Sequence, residues 1–414
     1  MTDSGMSPAR AVEAAARRSY ARLVALLAAR AGDIALAEDV LSSALVSALA
    51  TWPVMGVPAS PEAWLITVAR RSLVDVQRRH SAEQRALAAI AHQMDRFKPD
   101  SADPGDKADA PRLRLLFVCA HPALDASHHA PLMLQGVLGL DVACIARACA
   151  ISDAAMEKRL TRAKAKVRDA RISFEFPPRE EWGRRLSSVL DGVYAAFGLA
   201  WESPGAGQSA APDIDTREAI ELARLIVEML PAEPEARGLL SCMLFCESRR
   251  QARAGPGGRL VPLGEQQPSH WDQSLIAQAE EQLRVAAASR RPGRYQLEAA
   301  IQSAHAARSR GDGVPWQAIV ALYRSLIQVA PSLGARVALA AALHNAGQTL
   351  AAHEELESIS PEEVRSFQSY WAVLAHVLKG LGRDMEGGAA LARAIELAPT
   401  PQVARFLHEQ FEKA

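Results

Sequence analysis

A run of basic side chains between Ser152 and Arg171 is the strongest chemical signal in the sequence. Seven basic and three acidic residues there give a local net charge of +4, whereas the whole chain balances 47 Lys and Arg against 47 Asp and Glu. The basic residues are Lys158, Arg159, Arg162, Lys164, Lys166, Arg168 and Arg171. Cationic side chains along a helix suit the phosphate backbone and major groove of duplex DNA. The pattern therefore predicts a local DNA contact in a chain that has no overall attraction to nucleic acid.

The segment that contains the basic run and the residues before it predict a helix-turn-helix. Val142, Ile145 and Ala146 form the inward face of a first helix, a turn follows, and Ser152 is placed to cap the second helix. The second helix carries an apolar stripe at helical spacing: Met156, Leu160, Ala163 and Val167. A solvated, salt-bridged helix is the alternative, because charge runs are usually of that kind. The turn and the cap favour DNA contact.

A second cluster with chemical potential contains Cys119, His121, Asp125, His128 and His129. Its spacing matches no zinc pattern, so it is weak support for a metal site or a Cys-His site. The sequence also has no GxxxxGK[ST], GxGxxG, HExxH or GxSxG segment. We therefore expect no enzymatic activity, no metal site and no cofactor.

The composition predicts an all-α protein with two or three domains. Its 414 residues exceed an ordinary single domain, and 49% hydrophobic with 23% charged residues is close to the globular average. Alternating strand patterns hardly occur, while Ala, Leu, Arg and Glu recur at helical spacing throughout.

Cysteine usage and the N-terminal segment bear on localisation. The five cysteines include no CxxC pair, which indicates neither a disulfide framework nor a zinc ribbon and fits a reducing cytoplasm. The N-terminus lacks the apolar segment of a signal peptide, and we expect no apolar run near the about 20 residues of a membrane span. These features predict a cytoplasmic protein.

The C-terminal part contains an internal repeat. Small and apolar residues around Gly347 recur around Gly382, 35 residues later, and each set is typical of a helix, a glycine turn and a second helix. The matched positions are Leu339, Ala340, Leu343, Ala352 and Leu356, followed by Leu374, Ala375, Leu378, Gly387 and Leu391. The pattern predicts a tetratricopeptide-like helical repeat. An unrelated helical bundle is the alternative, since Ala-rich helical hairpins can imitate the repeat.

Two segments before the basic run complete a resemblance to a known family. GDIALAEDVLSSALVSALATW places an acidic pair ahead of an apolar stripe, and PEAWLITVARRSLVDVQRRH follows it. The stripe consists of Val40, Leu41, Ala44, Leu45 and Leu49. In this order, ahead of the helix-turn-helix, they resemble the extracytoplasmic-function class of bacterial RNA polymerase sigma factors. Glu38-Asp39 matches the "ED" of that class, Trp64-Leu65 begins its "WL..IAR" helix, and Asp75 begins its "D..RR" segment. The resemblance covers about the first 175 residues.

The resemblance implies a factor that binds core RNA polymerase and directs promoter-specific initiation. The residues implied in polymerase binding are Glu38, Asp39, Leu41 and Leu45. Those implied at the −10 element are Arg70, Arg71, Asp75, Arg78 and Arg79. Those expected at the −35 element are Ser152, Ala155, Lys158, Arg159, Arg162 and Lys166.

The implied organisation is sigma region 2 in 8–94, a linker in 95–111, sigma region 4 in 112–175 and a tetratricopeptide-like extension in 180–414. LRLLFVCAHPALD, Trp271-Asp272 and GRYQLEAAIQSAHA resemble the subgroup that carries such an extension, and HPALD is expected to shape the turn before a helix. The expected partners are core RNA polymerase and promoter DNA, with a protein or peptide as one possible ligand of the extension and no membrane. We expect the extension to regulate the sigma module.

Two other interpretations remain open from the residues. A helix-turn-helix regulator would bind duplex DNA without polymerase. A tetratricopeptide scaffold would account for 180–414 but would leave the basic helix without a role.

Overall fold

The computed structural model describes residues 7–88, 110–202, 216–255, 259–311 and 313–413. In these ranges the regular elements are helices, and an isolated antiparallel bridge joins Ala254 to Leu260. The expected all-α fold is confirmed.

The chain divides into two compact units, 1–225 and 226–414. The helices described in the first unit are α1 (Pro8–Ala31), α2 (Ile34–Met55), α3 (Pro61–Ala88), α4 (Ala110–Cys119), α5 (Ala126–Gly136), α6 (Val142–Ala148), α7 (Asp153–Asp169) and α8 (Arg179–Glu202). The division falls within α9 (Thr216–Met229). Residues 95–109 of the predicted linker lie outside the described residues, and its last two residues begin α4. The four-part division of the chain stays a prediction.

The first three helices pack around a shared apolar core. Ser7 caps α1, and Gly32 ends it with a left-handed φ of 65°. The Asp33 carboxylate begins α2 by accepting hydrogen bonds from the N–H groups of Ala35 and Leu36 at 2.8 and 3.2 Å, which satisfies groups that a helix start leaves free. The side chains at most 1% exposed include Val24, Leu27, Leu41, Ala44, Leu65 and Leu73. These helices form a platform for the side chains on their outer faces.

Among the described residues, α2 is the one helix long and apolar enough to cross a membrane. The expectation that no apolar run approaches this length does not hold for α2. The helix packs against α1, α3 and α7, and residues such as Val40, Leu41, Ala44 and Trp52 are buried. Since a core helix passes the same test, its composition is weak evidence for a membrane.

α8 packs on α4 and α5, although the division at residue 180 assigned nearly all of this helix to the extension. The rings of Phe117 and Trp182 lie 6.0 Å apart, and the Arg185 guanidinium donates to the Phe117 carbonyl at 3.3 Å. His129 Nδ1 and Ser188 Oγ are hydrogen-bonded at 3.0 Å. The first turns of α8 therefore help to close the core beside the helix-turn-helix.

The second unit is an array of paired helices. Beyond α9 they are α10 (Pro234–Ser248), α11 (Gln273–Ala287), α12 (Arg294–Ala306), α13 (Trp316–Val329), α14 (Leu333–Asn345), α15 (Thr349–Glu357), α16 (Pro361–Val364), α17 (Gln368–Gly380), α18 (Asp384–Glu396) and α19 (Pro401–Lys413). Helices pack chiefly on neighbours in the sequence, such as α10 on α11 and α17 on α18. This pattern is typical of repeat proteins.

The 35-residue repeat has a structural counterpart. α14 and α15 are joined at Gly347 with φ of 79°, and α17 and α18 are joined at Gly382 with φ of 74°. Glycine adopts this left-handed conformation without the strain that a Cβ imposes. The predicted helix, glycine turn and second helix are therefore present in both copies, whereas the tetratricopeptide assignment stays a prediction.

Candidate nucleic-acid interface

The helix-turn-helix is built by two caps and a tight turn. Asp141 caps α6 by accepting from the Cys144 N–H at 2.7 Å, and Ser152 caps α7 by accepting from the Ala155 N–H at 3.3 Å. Between the helices, Ala150 adopts a left-handed φ of 52°. The predicted turn and the predicted Ser152 cap are both confirmed.

The apolar stripe of α7 fixes the orientation of the helix. Met156, Leu160, Ala163 and Val167 are each at most 3% exposed. Residues three and four apart lie on one side of a helix, so burial of this stripe directs the remaining faces outward. The predicted inward face is confirmed.

Most of the residues expected at the −35 element lie on the outward side of α7. The exposed members are Ser152, Ala155, Lys158, Arg162 and Lys166, while Arg159 is half-buried. Offsets of three and four residues place them along one side of the helix. Lys164 differs from these residues, because its side chain is 11% exposed and its ammonium group pairs with the Glu38 carboxylate at 2.5 Å. The basic run therefore provides an outward cationic surface and one inward ion pair.

The residues expected to bind polymerase on α2 do not share one environment. Asp39 is exposed, Leu45 is half-buried, and Leu41 is fully buried in the core. Burial raises the pKa of Glu38, and the neighbouring Lys164 opposes that shift. Because the Leu41 side chain packs inside the protein, its contribution in this conformation is to hold α2 in place.

Four apolar side chains on the second half of α2 are exposed: Val46, Leu49, Val54 and Met55, at 66%, 48%, 82% and 79%. Leu49 belonged to the apolar stripe noted in the sequence, whereas the other three were not singled out. The sequence already indicated this exposure, because the apolar residues of α2 occur on more sides of the helix than its single buried face accounts for. Helical spacing places Val46 and Leu49 on the side of α2 that also carries Asp39, whereas Val54 and Met55 lie at the end of the helix.

The residues expected at the −10 element lie along α3. Arg70, Arg71, Asp75 and Arg78 are exposed, and the side chain of Arg79 lies outside the described residues. Their helix is held from the other side by the buried residues Leu65, Ala69 and Leu73. Arg71, Asp75 and Arg78 are spaced by four and three residues, so they share one side of α3.

The Cys-His cluster has structural roles at the start of α5. His121 Nδ1 accepts from the Ala123 N–H at 3.1 Å, and Asp125 caps the helix by accepting from the Ser127 N–H at 2.8 Å. A hydrogen bond from the Ser127 side chain, together with the one from its backbone N–H, lowers the pKa of Asp125. Burial raises the pKa of the Cys119 thiol to about 12. In the described part of the chain, no three His, Cys, Asp or Glu side chains are grouped to hold a metal ion.

Comparison with known proteins decides the family. Residues 16–83, which span α2 and most of α1 and α3, match the family described as Sigma-70 region 2. The ECF RNA polymerase sigma factor SigL of Mycobacterium tuberculosis is 35% identical over 130 residues, which cover 31% of this chain and 71% of that protein. The chain belongs to the extracytoplasmic-function sigma factor family.

This sigma factor also matches a family and a protein of unknown function, and both matches include its C-terminal part. Residues 185–287 match a family of unknown function, DUF6596. The uncharacterized protein R00370 of Rhizobium meliloti (strain 1021) is 36% identical over 384 residues, which cover 92% of this sigma factor and 90% of that protein. No solved structure matches the chain. The similarity to R00370 shows that the extension accompanies the sigma region in a second protein.

Proposed function

We propose that this sigma factor binds core RNA polymerase and directs initiation at promoters whose −35 element is contacted by α7. The observation that carries the proposal is the outward basic side of α7, where Lys158, Arg162 and Lys166 are exposed while the opposite stripe is buried. Similarity to a protein named as an RNA polymerase sigma factor supports the same role. The helix is held by its apolar face and presents its cations to solvent, as a recognition helix does.

The two kinds of DNA contact have different consequences. An arginine that reads guanine through two hydrogen bonds contributes about 1–3 kcal/mol of discrimination at one base pair. A side chain that contacts a phosphate strengthens binding to every sequence and adds about 0.9 to the salt dependence of log K. Replacing Lys158 and Arg162 together should therefore weaken promoter binding at least about tenfold and reduce the salt slope by up to about 2.

The test is transcription from a selected promoter with purified core RNA polymerase, together with DNA retention at several salt concentrations. The K158A/R162A variant is compared with R324A/R405A, which removes two exposed charges from α13 and α19. We expect only the first variant to lose promoter output. Unchanged output and salt slope in K158A/R162A would show that α7 does not face DNA.

We propose that the outer side of α2 binds the polymerase. Asp39 supplies an exposed negative charge, and Val46 and Leu49 on the same side of α2 supply exposed apolar surface. A basic and apolar helix on the polymerase would complement both features. Asp39→Arg and Leu49→Asp should each reduce co-purification with the core enzyme, whereas Glu13→Arg, an exposed charge reversal on α1, should not. Equal recovery of all three variants with the core enzyme would show that α2 is not part of the polymerase interface.

We propose that Arg71, Asp75 and Arg78 on α3 contact the −10 element, because they are exposed on one side of a helix within the matched region 2. Arg71→Ala should reduce open-complex formation, measured by permanganate reactivity of unpaired thymines. The same variant should leave co-purification with the core enzyme unchanged.

A helix-turn-helix regulator without a sigma role is the second candidate function, favoured by the capped α6–α7 pair. Such a regulator would retain duplex promoter DNA in the absence of polymerase with the specificity of the full reaction. The sigma assignment predicts that specific retention requires the core enzyme. One retention assay with and without core enzyme separates the two functions.

We propose that the extension regulates the sigma module from within the same chain. Covalent attachment keeps the second unit at a high effective concentration, so weak contacts suffice for regulation. Within 180–414, α8 packs on α4 and α5 and so supports the DNA-reading domain. The helices of the second unit are the part that we assign to regulation of the sigma module.

Two truncations test this division. A chain ending at Pro178 lacks α8 and should lose promoter-dependent transcription, because the apolar faces of α4 and α5 would meet water. A chain ending at Met229 retains α8 and also α9, whose Glu218 pairs with the buried Arg112 of α4 at 2.6 Å, and it should transcribe without regulation. If the chain ending at Met229 matches the full chain under inducing and non-inducing conditions, the extension has no regulatory role.

We propose a protein or peptide ligand for the extension. Leu350 and Met385 lie at equivalent positions of the two 35-residue copies and are 64% and 92% exposed. Apolar side chains repeated along a helical array favour an extended ligand. L350E/M385E should remove the regulatory response of the full chain, whereas Glu362→Ala, an exposed substitution on α16, should retain it. A response equal to wild type in L350E/M385E would exclude this surface.

A further inference from the structure

Arg249, which follows the last residue of α10, is a buried cation with 7% of its surface exposed. One of its amino groups donates to Gln302 Oε1 at 2.6 Å and lies 3.8 Å from Cys246 Sγ. The other amino nitrogen, Nη1, has no hydrogen-bond partner among the described residues. Neither contact is a carboxylate, and a buried charge without an opposite charge is strongly destabilising. A thiolate at Cys246 would supply the missing negative charge beside the guanidinium.

The thiol of Cys242 lies on the same side of α10 as Cys246, since the two residues are four positions apart. Cys242 is 2% exposed, whereas Cys246 is half-buried and so within reach of a small reagent. A hydrogen bond from the Cys242 thiol, together with the Arg249 guanidinium, lowers the pKa of Cys246 to about 7 against the opposing effect of burial. The same hydrogen bond and burial raise the pKa of Cys242. Near pH 7 a thiolate at Cys246 therefore accepts a hydrogen bond from a protonated Cys242.

The other ionisable groups near the two sulfurs favour the same protonation states. Arg253, in the turn after α10, favours the thiolate. Glu298 of α12 adds to the rise in the pKa of Cys242. Burial raises the pKa of Tyr323 on α13 to about 12 and lowers that of His305 on α12 to about 4, so both side chains are neutral near pH 7. The cations that stabilise the thiolate are therefore the two arginines at the end of α10.

We propose that Cys246 and Cys242 are an oxidation-sensitive pair, which hydrogen peroxide converts to a disulfide within α10. The Cys246 thiolate attacks one peroxide oxygen, the O–O bond breaks, and the leaving hydroxide takes up a proton to become water. The Cys242 sulfur then attacks the sulfenic acid on Cys246, an S–S bond replaces the S–O bond, and hydroxide leaves with the Cys242 proton as a second water. The two sulfurs together lose two electrons, and peroxide is reduced to water. This chemistry does not depend on the regulatory role proposed for the extension.

Closure of the disulfide must deform α10 locally. Residues four apart on a helix have Cβ atoms about 5–6 Å apart, whereas a disulfide holds them at about 3.5–4.5 Å. Because α10 packs on α11 and α12, oxidation would alter packing in the second unit. Strained disulfides are the readily reduced ones, so the bond should be reversible by a thiol reductant.

The test uses the full-length chain, first reduced and then treated with hydrogen peroxide. Remaining thiols are blocked with N-ethylmaleimide in urea, and trypsin releases peptide 238–249, which contains Cys242, Cys246 and no other cysteine. After peroxide this peptide should carry no maleimide and be two hydrogens lighter, and dithiothreitol should restore both labels. Oxidation of Met243 in the same peptide would instead add oxygen, so the mass distinguishes the two reactions.

Two variants isolate the second sulfur. Cys242→Ser retains a hydrogen-bond donor but lacks the sulfur that closes the disulfide, so the reaction should stop at a sulfenic acid on Cys246, which dimedone captures. Cys149→Ser, which removes an exposed cysteine outside the second unit, is the matched control and should form the disulfide as wild type does. A wild-type peptide with both thiols labelled at a peroxide concentration that oxidises Cys149 would overturn the proposal. A wild-type dimedone adduct without a disulfide would overturn it as well.

The pH dependence of alkylation by iodoacetamide tests the role of Arg249. The Cys246 rate in wild type should be half-maximal at about pH 7, whereas an ordinary cysteine titrates at about 8.5. Arg249→Met should raise this midpoint by at least about one pH unit, and Arg249→Lys, which keeps the positive charge, should leave it near the wild-type value. A wild-type midpoint at the ordinary value, or equal midpoints in R249M and wild type, would contradict a thiolate held by Arg249. If R249M fails to fold, the wild-type midpoint and the Cys242→Ser product still decide the proposal.

Discussion

Replacing Gly238 with alanine should destabilise the second unit, because α10 and α12 approach each other there at backbone distance. A Cβ on Gly238 would lie 2.6 Å from the Gln296 backbone nitrogen and 2.8 Å from the Tyr295 carbonyl carbon. Non-bonded heavy atoms are most stable near about 3.5–4.0 Å, so the helices would have to move apart by about 1 Å. The opposing backbone of α12 cannot rotate away as the end of a flexible side chain can.

The same movement would weaken the cap of α12. The Glu235 carboxylate accepts from the Tyr295 N–H at 2.8 Å and from the Gln296 N–H at 3.2 Å. Overpacking costs about 1–3 kcal/mol, and a hydrogen bond to a charged group contributes about 1.5–3 kcal/mol. Alanine offsets about 1 kcal/mol through its higher helix propensity. We expect a net decrease of about 2–4 kcal/mol in the free energy of unfolding of this unit.

Native-state hydrogen exchange of peptides from α10 and α12, with urea denaturation, measures the loss in the full chain. Gly388→Ala in α18 is the matched control, since no atom lies within 4 Å of its added Cβ. That variant should be unchanged or stabilised by up to about 1 kcal/mol. A Gly238→Ala protein as stable as wild type would refute the close approach of the two helices.

Three further outcomes are expected. Ser152→Ala should lower stability by about 1 kcal/mol through loss of the α7 cap, and faster hydrogen exchange in the first turn of α7 would show it. Burial, followed by Arg249 and Arg308, lowers the pKa of His305 to about 4 from 6.5. As the pH falls, the unfolded chain therefore takes up a proton at His305 at a higher pH than the folded chain does. The free energy of unfolding should fall by up to about 3 kcal/mol as the pH decreases from 6.5 to about 4. Urea denaturation across that range should show no such contribution in His305→Gln. Gly382→Val should lower the free energy of unfolding of the second unit by about 1–2 kcal/mol, since a branched side chain opposes φ of 74° at this position. Thermal denaturation of the variant and the wild-type chain measures this difference.

Features set by neighbouring residues could be predicted from the sequence. The buried side of α7, the Ser152 cap and the turns at Gly347 and Gly382 each depend on positions within a few residues of one another. Helical spacing, side-chain capping and left-handed turns are local properties of the backbone. The order of the two region 2 segments ahead of the helix-turn-helix was likewise visible as a pattern of residue types.

The environment of individual side chains depended on residues far along the chain. In the sequence Lys164 is one member of the basic run. In the structure its side chain pairs with Glu38, 126 positions away. Leu41 and Leu49 belonged to the same apolar stripe of α2, yet Leu41 is buried and Leu49 is 48% exposed. Helical periodicity predicts which side of a helix is apolar, but only the neighbouring helices determine how much of that side is covered.

The all-α class, the capped basic helix and the repeated helical pair follow from local spacing, so the residues alone were enough to predict them. The packing of α8 on α4 and α5 and the contact between α2 and α7 are visible only in the assembled fold. The segment FEFPP at residues 174–178 ends one run of helical periodicity, but it does not show which surface the next helix covers. Packing partners are chosen by complementary shape and burial across long sequence separations, so they became visible only once the helices were assembled.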